Sequence, residues 1–327
     1  MNRANVLIAT AGAAALLSLS GPACGGPDDA AAAATFRKVD GLTLEGTLNS
    51  VGSDTMNNLM SLWAEGFRKH YPGVKAQVEG KGSGSAPTAL IEGIAQFGPM
   101  SRAMKNEEID KFEKKFGYKP TQFRTALDAL AVFVNKDNPI ESLTLQQVDA
   151  IFGKARKRGA TEDLTTWGQL GLKGDWEKAP IGLFGRNSVS GTYGFFKEHS
   201  LKGGDYKDTV KEQAGSSSVV QGVAEDRFAI GYSGIGYATP SVRAVPLADK
   251  PDGKAFTANL ENVVSESYPL GRYLFVYVNK APGKPLDPMV REYLRFVFSR
   301  EGAEVVKKEG FLQLPADVVK AEVKKLE

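Results

Sequence analysis

VGSDTM at 51–56, GKGSGSAPTAL at 80–90 and GRNSVSGTYGFF at 185–196 share one layout, and it decides the fold. In each, a short glycine- and hydroxyl-rich loop follows a predicted strand and opens into a predicted helix. Such a start leaves backbone N–H groups without intrahelical partners, next to small hydroxyls and the positive end of the helix dipole. Strand-to-helix loops of this kind lie at the carboxyl edge of an α/β sheet, where open α/β folds bind ligands. One such start is ordinary capping. Three, the last beginning at Arg186, suit a tetrahedral oxyanion.

The flanking pattern supports that placement. Leu42–Leu48 alternates as a strand interrupted by Gly46. A helix over about 55–70 carries Met56, Leu59, Met60, Trp63 and Phe67 on one face and stops at Pro72. Val74–Val78 is a strand. The next helix has Pro87 in its first turn and a buried stripe of Leu90, Ile91 and Ile94. Further strands are predicted at 97–100, 126–135, 181–184, 229–232 and 273–279. Helices are predicted at 143–152, capped by Ser142 or Thr144, and over 287–310 as one element. This alternation predicts two α/β lobes with mixed, mostly parallel sheets. No polar linker divides the chain, so it should cross between lobes more than once, with 126–135 and 273–279 as the crossings.

A buried dianion loses its hydration shell and needs many donors to stay bound. Fixed amides, hydroxyls and one two-pronged arginine supply them, and glycine lets the main chain approach closely. The candidates are Ser53, Asp54, Thr55 and the Met56 amide in the first loop. The second offers Ser83 and Gly84, and the third offers Arg186, Ser190, Gly191 and Thr192. Asp54 reads two ways. It caps its helix, or it accepts the proton of hydrogen phosphate and so disfavours sulfate, which has none to give.

Composition restricts the partners. A net charge of +3 over 327 residues, with mixed sign along most of the chain, gives no footprint for nucleic acid. The N-terminus has the layout of a secretory signal. Arg3 precedes the uncharged apolar run Val6–Leu19, and small residues lead to Cys24. Cys24 is the single cysteine, so no intrachain disulfide can form. With GGPDDAAAAA after it, this end resembles a bacterial lipoprotein, although Gly21 stands where Leu is usual; conventional cleavage nearby is the alternative. The expected organisation is a signal at 1–24, a flexible tether at 25–40, lobe I at 41–126 plus 265–327, and lobe II at 127–264. The chain is expected to be exported to the periplasm or cell surface, with membrane contact only through a lipid on Cys24.

Six stretches together resemble one family: VGSDTM, GKGSGSAPTALIEGIAQFGPMSR, NPIESLTLQQVDAIFGK, GRNSVSGTYGFFKE, AIGYSGIGY and YPLGRYLFVYVNK. They are similar to the phosphate-binding proteins of bacterial ABC phosphate importers (PstS-like), over about residues 45–315. The resemblance implies the type II periplasmic-binding-protein fold, two lobes on a two-strand hinge, and inorganic phosphate as ligand. It also implies the permease subunits of an ABC importer as partner. By the family motifs, phosphate ligands map to Thr55, Met56, Ser83, Arg186, Ser190, Gly191 and Thr192. Two positions depart. Ser101 is followed by Arg102 where well-known members carry an aspartate that accepts the phosphate proton, and Ser188 stands where another common member pairs an aspartate with the arginine. Either Arg102 donates to the anion and Asp54 accepts the proton, or discrimination among oxyanions is weaker.

Other functions are less well supported. The family resemblance allows a phosphatase on the same fold. However, His70 and His199 stand in no metal-spaced motif, and the chain has no Gly-x-Ser-x-Gly elbow and no Walker loop. No enzyme activity, cofactor or metal is expected. A surface adhesin or signalling partner that has lost the ligand is a third reading, opposed by the intact Ser-Gly-Thr and Arg186.

Overall fold

A computed structural model describes residues 34–327. The expected signal and Cys24 lie outside the described residues. In chain order, the first half comprises β1 (Gly46–Val51), α1 (Asn57–His70), β2 (Val74–Glu79), α2 (Ala86–Ile91), β3 (Gly98–Met100), α3 (Asn106–Phe116) and β4 (Thr121–Asn135). The middle comprises β5 (Leu143–Thr144), α4 (Leu145–Phe152), β6 (Gly182–Arg186), α5 (Gly191–Leu201), β7 (Lys211–Gln213), α6 (Ser216–Glu225) and β8 (Ala229–Gly234). The remainder is β9 (Val242–Ala244), β10 (Leu247–Ala248), α7 (Leu260–Val264), β11 (Gly271–Val278), α8 (Pro288–Val297), α9 (Arg300–Lys308) and α10 (Ala316–Lys324).

β4 is the spine. Its sequence ALDALAVFVN reads as a central strand buried on both faces, and every residue from Thr125 onward is buried. Thr121–Ala129 pairs antiparallel with β11, and Leu130–Val134 pairs antiparallel with β8. The partner therefore changes between Ala129 and Leu130, and the two sheet halves meet there. On one side β11 pairs with β3, and an isolated parallel bridge between Ser50 and Phe97 joins β1 and its parallel partner β2 to that half. On the other side β8, β6 and β7 run parallel. The parallel pairings thus carry the strand-to-helix loops, and the antiparallel ones are those of the spine and of β11 with β3.

The second connection differs from expectation. β11 pairs only with β3 and the first part of β4, so it stays within one half. Residues 265–270, just before it, are the ones that touch the point where β4 changes partner. There the Leu130 N–H donates to Leu270 O at 3.0 Å, and the Tyr268 hydroxyl donates to Leu130 O at 3.0 Å.

Several elements shift for local reasons. The first strand begins at Gly46, which has φ 118° and starts the strand rather than interrupting it. α2 ends at Ile91, so Ile94 falls past it and is exposed. Of the two candidate caps of α4, Thr144 is used: its Oγ1 accepts from Gln147 N at 3.1 Å, and Gln147 Oε1 accepts from Thr144 N at 2.9 Å. The expected helix over 287–310 is two. Ser299 is extended at φ −82°, ψ 172°, and its Oγ accepts from Gly302 N at 3.2 Å, so it caps α9 and ends α8.

Residues 34–40, expected to belong to the tether, are exposed except for Phe36, which anchors them. Phe36 is buried among Phe67, His70, Tyr71 and Phe296. Its N–H donates to Glu301 Oε2 at 2.8 Å. An aromatic side chain with an available groove outweighs the polar composition around it.

Candidate anion site between the sheet halves

The three loops converge. Gly52 and Ser53 follow β1, and a 3-10 turn at Asp54–Met56 leads into α1. A second 3-10 turn at Ser83–Ser85 leads into α2, and Asn187–Ser190 lead from β6 into α5. Four buried hydroxyls meet where the loops touch. Thr55 Oγ1 lies 2.9 Å from Thr192 Oγ1, Ser101 Oγ lies 3.5 Å from Thr192 Oγ1, and Ser83 Oγ lies 3.3 Å from Ser101 Oγ. Thr55, Ser83 and Ser101 belong to one half of the sheet, and Thr192 to the other.

Glycine makes the approach possible. A Cβ on Gly191 would sit 2.2 Å from Ser83 Oγ and 2.7 Å from Ser101 Oγ. Gly82 has φ 96°, and a Cβ there would lie 2.8 Å from the Val189 carbonyl oxygen. Gly84 donates its N–H to the same carbonyl at 3.1 Å, which joins the second and third loops directly.

Arg186 ends β6 fully buried. Its Nη1 donates to Ser216 Oγ at 2.6 Å and its Nη2 to Ala214 O at 2.9 Å. Asp54 Oδ2 stands 3.0 Å from Nη2 and also accepts from Ser216 N at 2.9 Å and Ser216 Oγ at 3.0 Å. The carboxylate therefore sits on the N-terminus of α6, a fourth helix start of the same kind. Burial pulls the guanidinium below its ordinary pKa, and the Asp54 charge opposes that shift. Arg186 Nε and Ser53 Oγ are buried without a hydrogen-bond partner. Unpaired buried polar groups cost about 1–3 kcal/mol each, so a ligand that engages them gains that much.

A family model described as the PBP superfamily domain matches residues 39–301. The phosphate-binding protein PstS of Pseudomonas aeruginosa is 54% identical over 292 residues, which are 89% of this chain and 90% of that protein. The chain belongs to the PstS-like branch of the PBP superfamily. Protein SphX of Synechococcus elongatus is 30% identical over 269 residues, 81% of this chain and 77% of that one. Among solved structures, a phosphate ABC-transporter substrate-binding protein of Clostridium perfringens with bound phosphate is similar, with a TM-score of 0.69 and 27% identity. It covers 82% of this chain and 100% of that one.

Not every candidate residue faces the cluster. Arg102 is bound elsewhere: its Nη1 and Nη2 form a fork on Glu108 at 2.8 and 2.7 Å. That fork commits both terminal nitrogens of Arg102 to Glu108 rather than to the hydroxyl cluster. Ser190 Oγ accepts from Tyr193 N at 3.4 Å and acts as the N-cap of α5. The Met56 amide closes its own 3-10 turn on Ser53 O at 3.3 Å, while its side chain joins the core. Asp54 is not a cap of its own turn. It is the partner of Arg186, which is therefore paired with a carboxylate although Ser188 offers none.

Three site residues escaped the sequence reading. Asp128 and Arg272 face each other across β4 and β11, with Arg272 Nε and Nη2 at 2.9 and 2.7 Å from Asp128 Oδ2. Arg272 Nη2 also donates to Thr192 Oγ1 at 3.0 Å. The available signal was a lone carboxylate in ALDALAVFVN and a lone arginine opening YLFVYV. Tyr237 donates its hydroxyl to Asp54 O and Thr55 O, both at 3.1 Å. Burial, then the Asp54 charge, pushes its pKa up, so it stays a protonated donor. Among the described residues no cluster of acidic, histidine or cysteine side chains is placed to hold a metal ion, and no helix is long and apolar enough to cross a membrane.

Proposed function

We propose that this is an exported solute-binding protein that captures inorganic phosphate between its two lobes and delivers it to the permease subunits of an ABC importer. The observation that carries the reading is the chain of hydroxyls Thr55, Thr192, Ser101 and Ser83, drawn from both sheet halves, in which each oxygen lies within 3.5 Å of the next. Neither half could form this hydroxyl chain alone, and buried Arg186 pairs with Asp54, the neighbour of Thr55. The names of the relatives point the same way: a PstS from P. aeruginosa and a phosphate-bound transporter protein from C. perfringens.

The ligand set in this proposal is Ser53, Thr55, Ser83, Ser101, Arg186 and Thr192, with Gly84, Ser190 and Gly191 shaping the loops. Asp54 supplies selectivity. Oδ2 is spent on Arg186 and Ser216, whereas Oδ1 takes no hydrogen bond among the described residues. That oxygen accepts from a protonated oxyanion and leaves sulfate with an unpaired acceptor. The lobes divide at the β4 partner change and before β11, close to the 126/127 and 264/265 boundaries, and closure bends the chain there. Anchoring through Cys24 belongs to the same proposal, as does the absence of catalysis.

Calorimetric titration of the anion-stripped protein with phosphate, arsenate and sulfate tests the reading, with phosphate expected to bind and sulfate to be rejected. No phosphate binding would sink it. A chromogenic phosphate ester assayed alongside should show no turnover that scales with protein concentration.

A further inference from the structure

We infer that Arg272 is a positioning residue of the anion site: held by Asp128 where the crossing strand changes partner, it occupies a lone pair of the Thr192 hydroxyl and so turns that hydroxyl's hydrogen away from itself, toward the ligand. The inference rests on the phosphate reading and adds a residue that acts through Thr192.

The argument is one of hydrogen-bond direction. A guanidinium has only donors. At the 3.0 Å contact between Arg272 Nη2 and Thr192 Oγ1, the threonine oxygen therefore accepts. Its own hydrogen must point elsewhere, and the oxygens in reach are Thr55 Oγ1 and Ser101 Oγ, inside the cluster. Ser83 is set the same way, because its Oγ accepts the Ser101 N–H at 3.0 Å. Both oxygens thus spend one lone pair on a protein donor, and both hydroxyl hydrogens are left to turn into the cluster. An oxyanion rich in acceptors matches that arrangement, whereas a ligand rich in donors does not.

Arg272 can do this because it cannot move. Two of its nitrogens grip Asp128 Oδ2, and Nη1 donates to Ser101 O at 2.9 Å. Its guanidinium carbon lies 5.3 Å from the Phe195 ring centre. Asp128 Oδ1 accepts from Ile235 N at 3.1 Å, just past the end of β8. One buried ion pair therefore touches the end of β3, the start of α5, the end of β8 and the spine. Arg272 and Asp128 are each almost fully buried, so the pair is well shielded from solvent.

A mutant cycle separates positioning from general support. Phosphate affinity is measured by calorimetry for the wild type, Arg272→Lys, Thr192→Val and the double variant, with Arg186→Ala as a control. Lysine keeps the charge but cannot serve Asp128, Ser101 and Thr192 together. Arg272→Lys should weaken phosphate about tenfold in the wild-type background and less than about twofold beside Thr192→Val. Equal losses in both backgrounds, or no loss, overturn the inference. If Arg272→Lys does not fold, judged by the melting of the anion-free protein, Arg272→Gln with Asp128→Asn removes both charges and replaces it in the cycle. A wild type that binds no phosphate takes down both readings. A wild type that binds and loses affinity on Arg186→Ala, yet shows no coupling between 272 and 192, removes this inference alone.

Discussion

Asp54 and Arg186 come from opposite halves of the sheet and meet at 3.0 Å, with the Asp54 carboxylate seated on the N-terminus of α6. The protein's own anion thereby fixes the arginine from across the cleft. It also leaves a guanidinium edge and a carboxylate oxygen side by side, one suited to an anion and the other to a proton.

Removing the arginine tests the first of these. Arg186→Ala should weaken phosphate binding at least about tenfold, a loss of about 1.4 kcal/mol or more. Titration calorimetry reads it, and an unchanged affinity would remove Arg186 from the site.

The carboxylate oxygen has its own test. Asp54→Asn exchanges an acceptor-only group for an amide that can also donate. Sulfate binding should rise relative to phosphate, measured as the ratio of the two dissociation constants. A ratio equal to that of the wild type would leave Asp54 with the arginine alone.

Gly191 separates crowding from chemistry. A Cβ there would lie 2.2 Å from Ser83 Oγ and 2.7 Å from Ser101 Oγ. Gly191→Ala should force the second and third loops apart, cost about 1–3 kcal/mol of stability by overpacking, and abolish tight phosphate binding. A variant that melts and binds like the wild type would show that the loops do not close as described.

Arg102 carries a pH signature away from the site. Burial pushes the Glu108 carboxyl up, but the Arg102 fork, the Lys105 N–H and nearby charge outweigh it and hold it below the ordinary glutamate range. A depressed folded-state pKa means stability that is present above the unfolded value and lost as pH falls through the folded one. Arg102→Met should therefore lower the melting temperature at neutral pH, and the gap to the wild type should shrink on acidification below the ordinary glutamate range. Phosphate affinity should stay within about twofold of the wild type. A large loss would return Arg102 to the anion site.

Packing of the N-terminal segment gives the last test. Phe36→Ala should cost about 3 kcal/mol, as for other buried aromatic truncations, and denaturant unfolding would measure it. A loss below about 1 kcal/mol would mean that residues 34–40 act as tether after all.

The sequence by itself determined the alternation of strands and helices, the three hydroxyl-rich helix starts and the apolar stretch 126–135 of the spine strand, though the strand starts earlier, at Thr121. These are local matters of hydrophobic period, capping residues and glycine placement, and one sequence suffices to read them. It carried no direction for Arg102, whose partner six residues away captured it, and no sign that Phe36 would find a groove. Only the tertiary structure decided which charges meet. Asp54 finds Arg186 132 positions later, since 186 − 54 = 132, and Asp128 finds Arg272 across a strand pairing. Such partners are set by the closure of the sheet around β4, and Coulomb attraction depends on separation in space rather than along the chain.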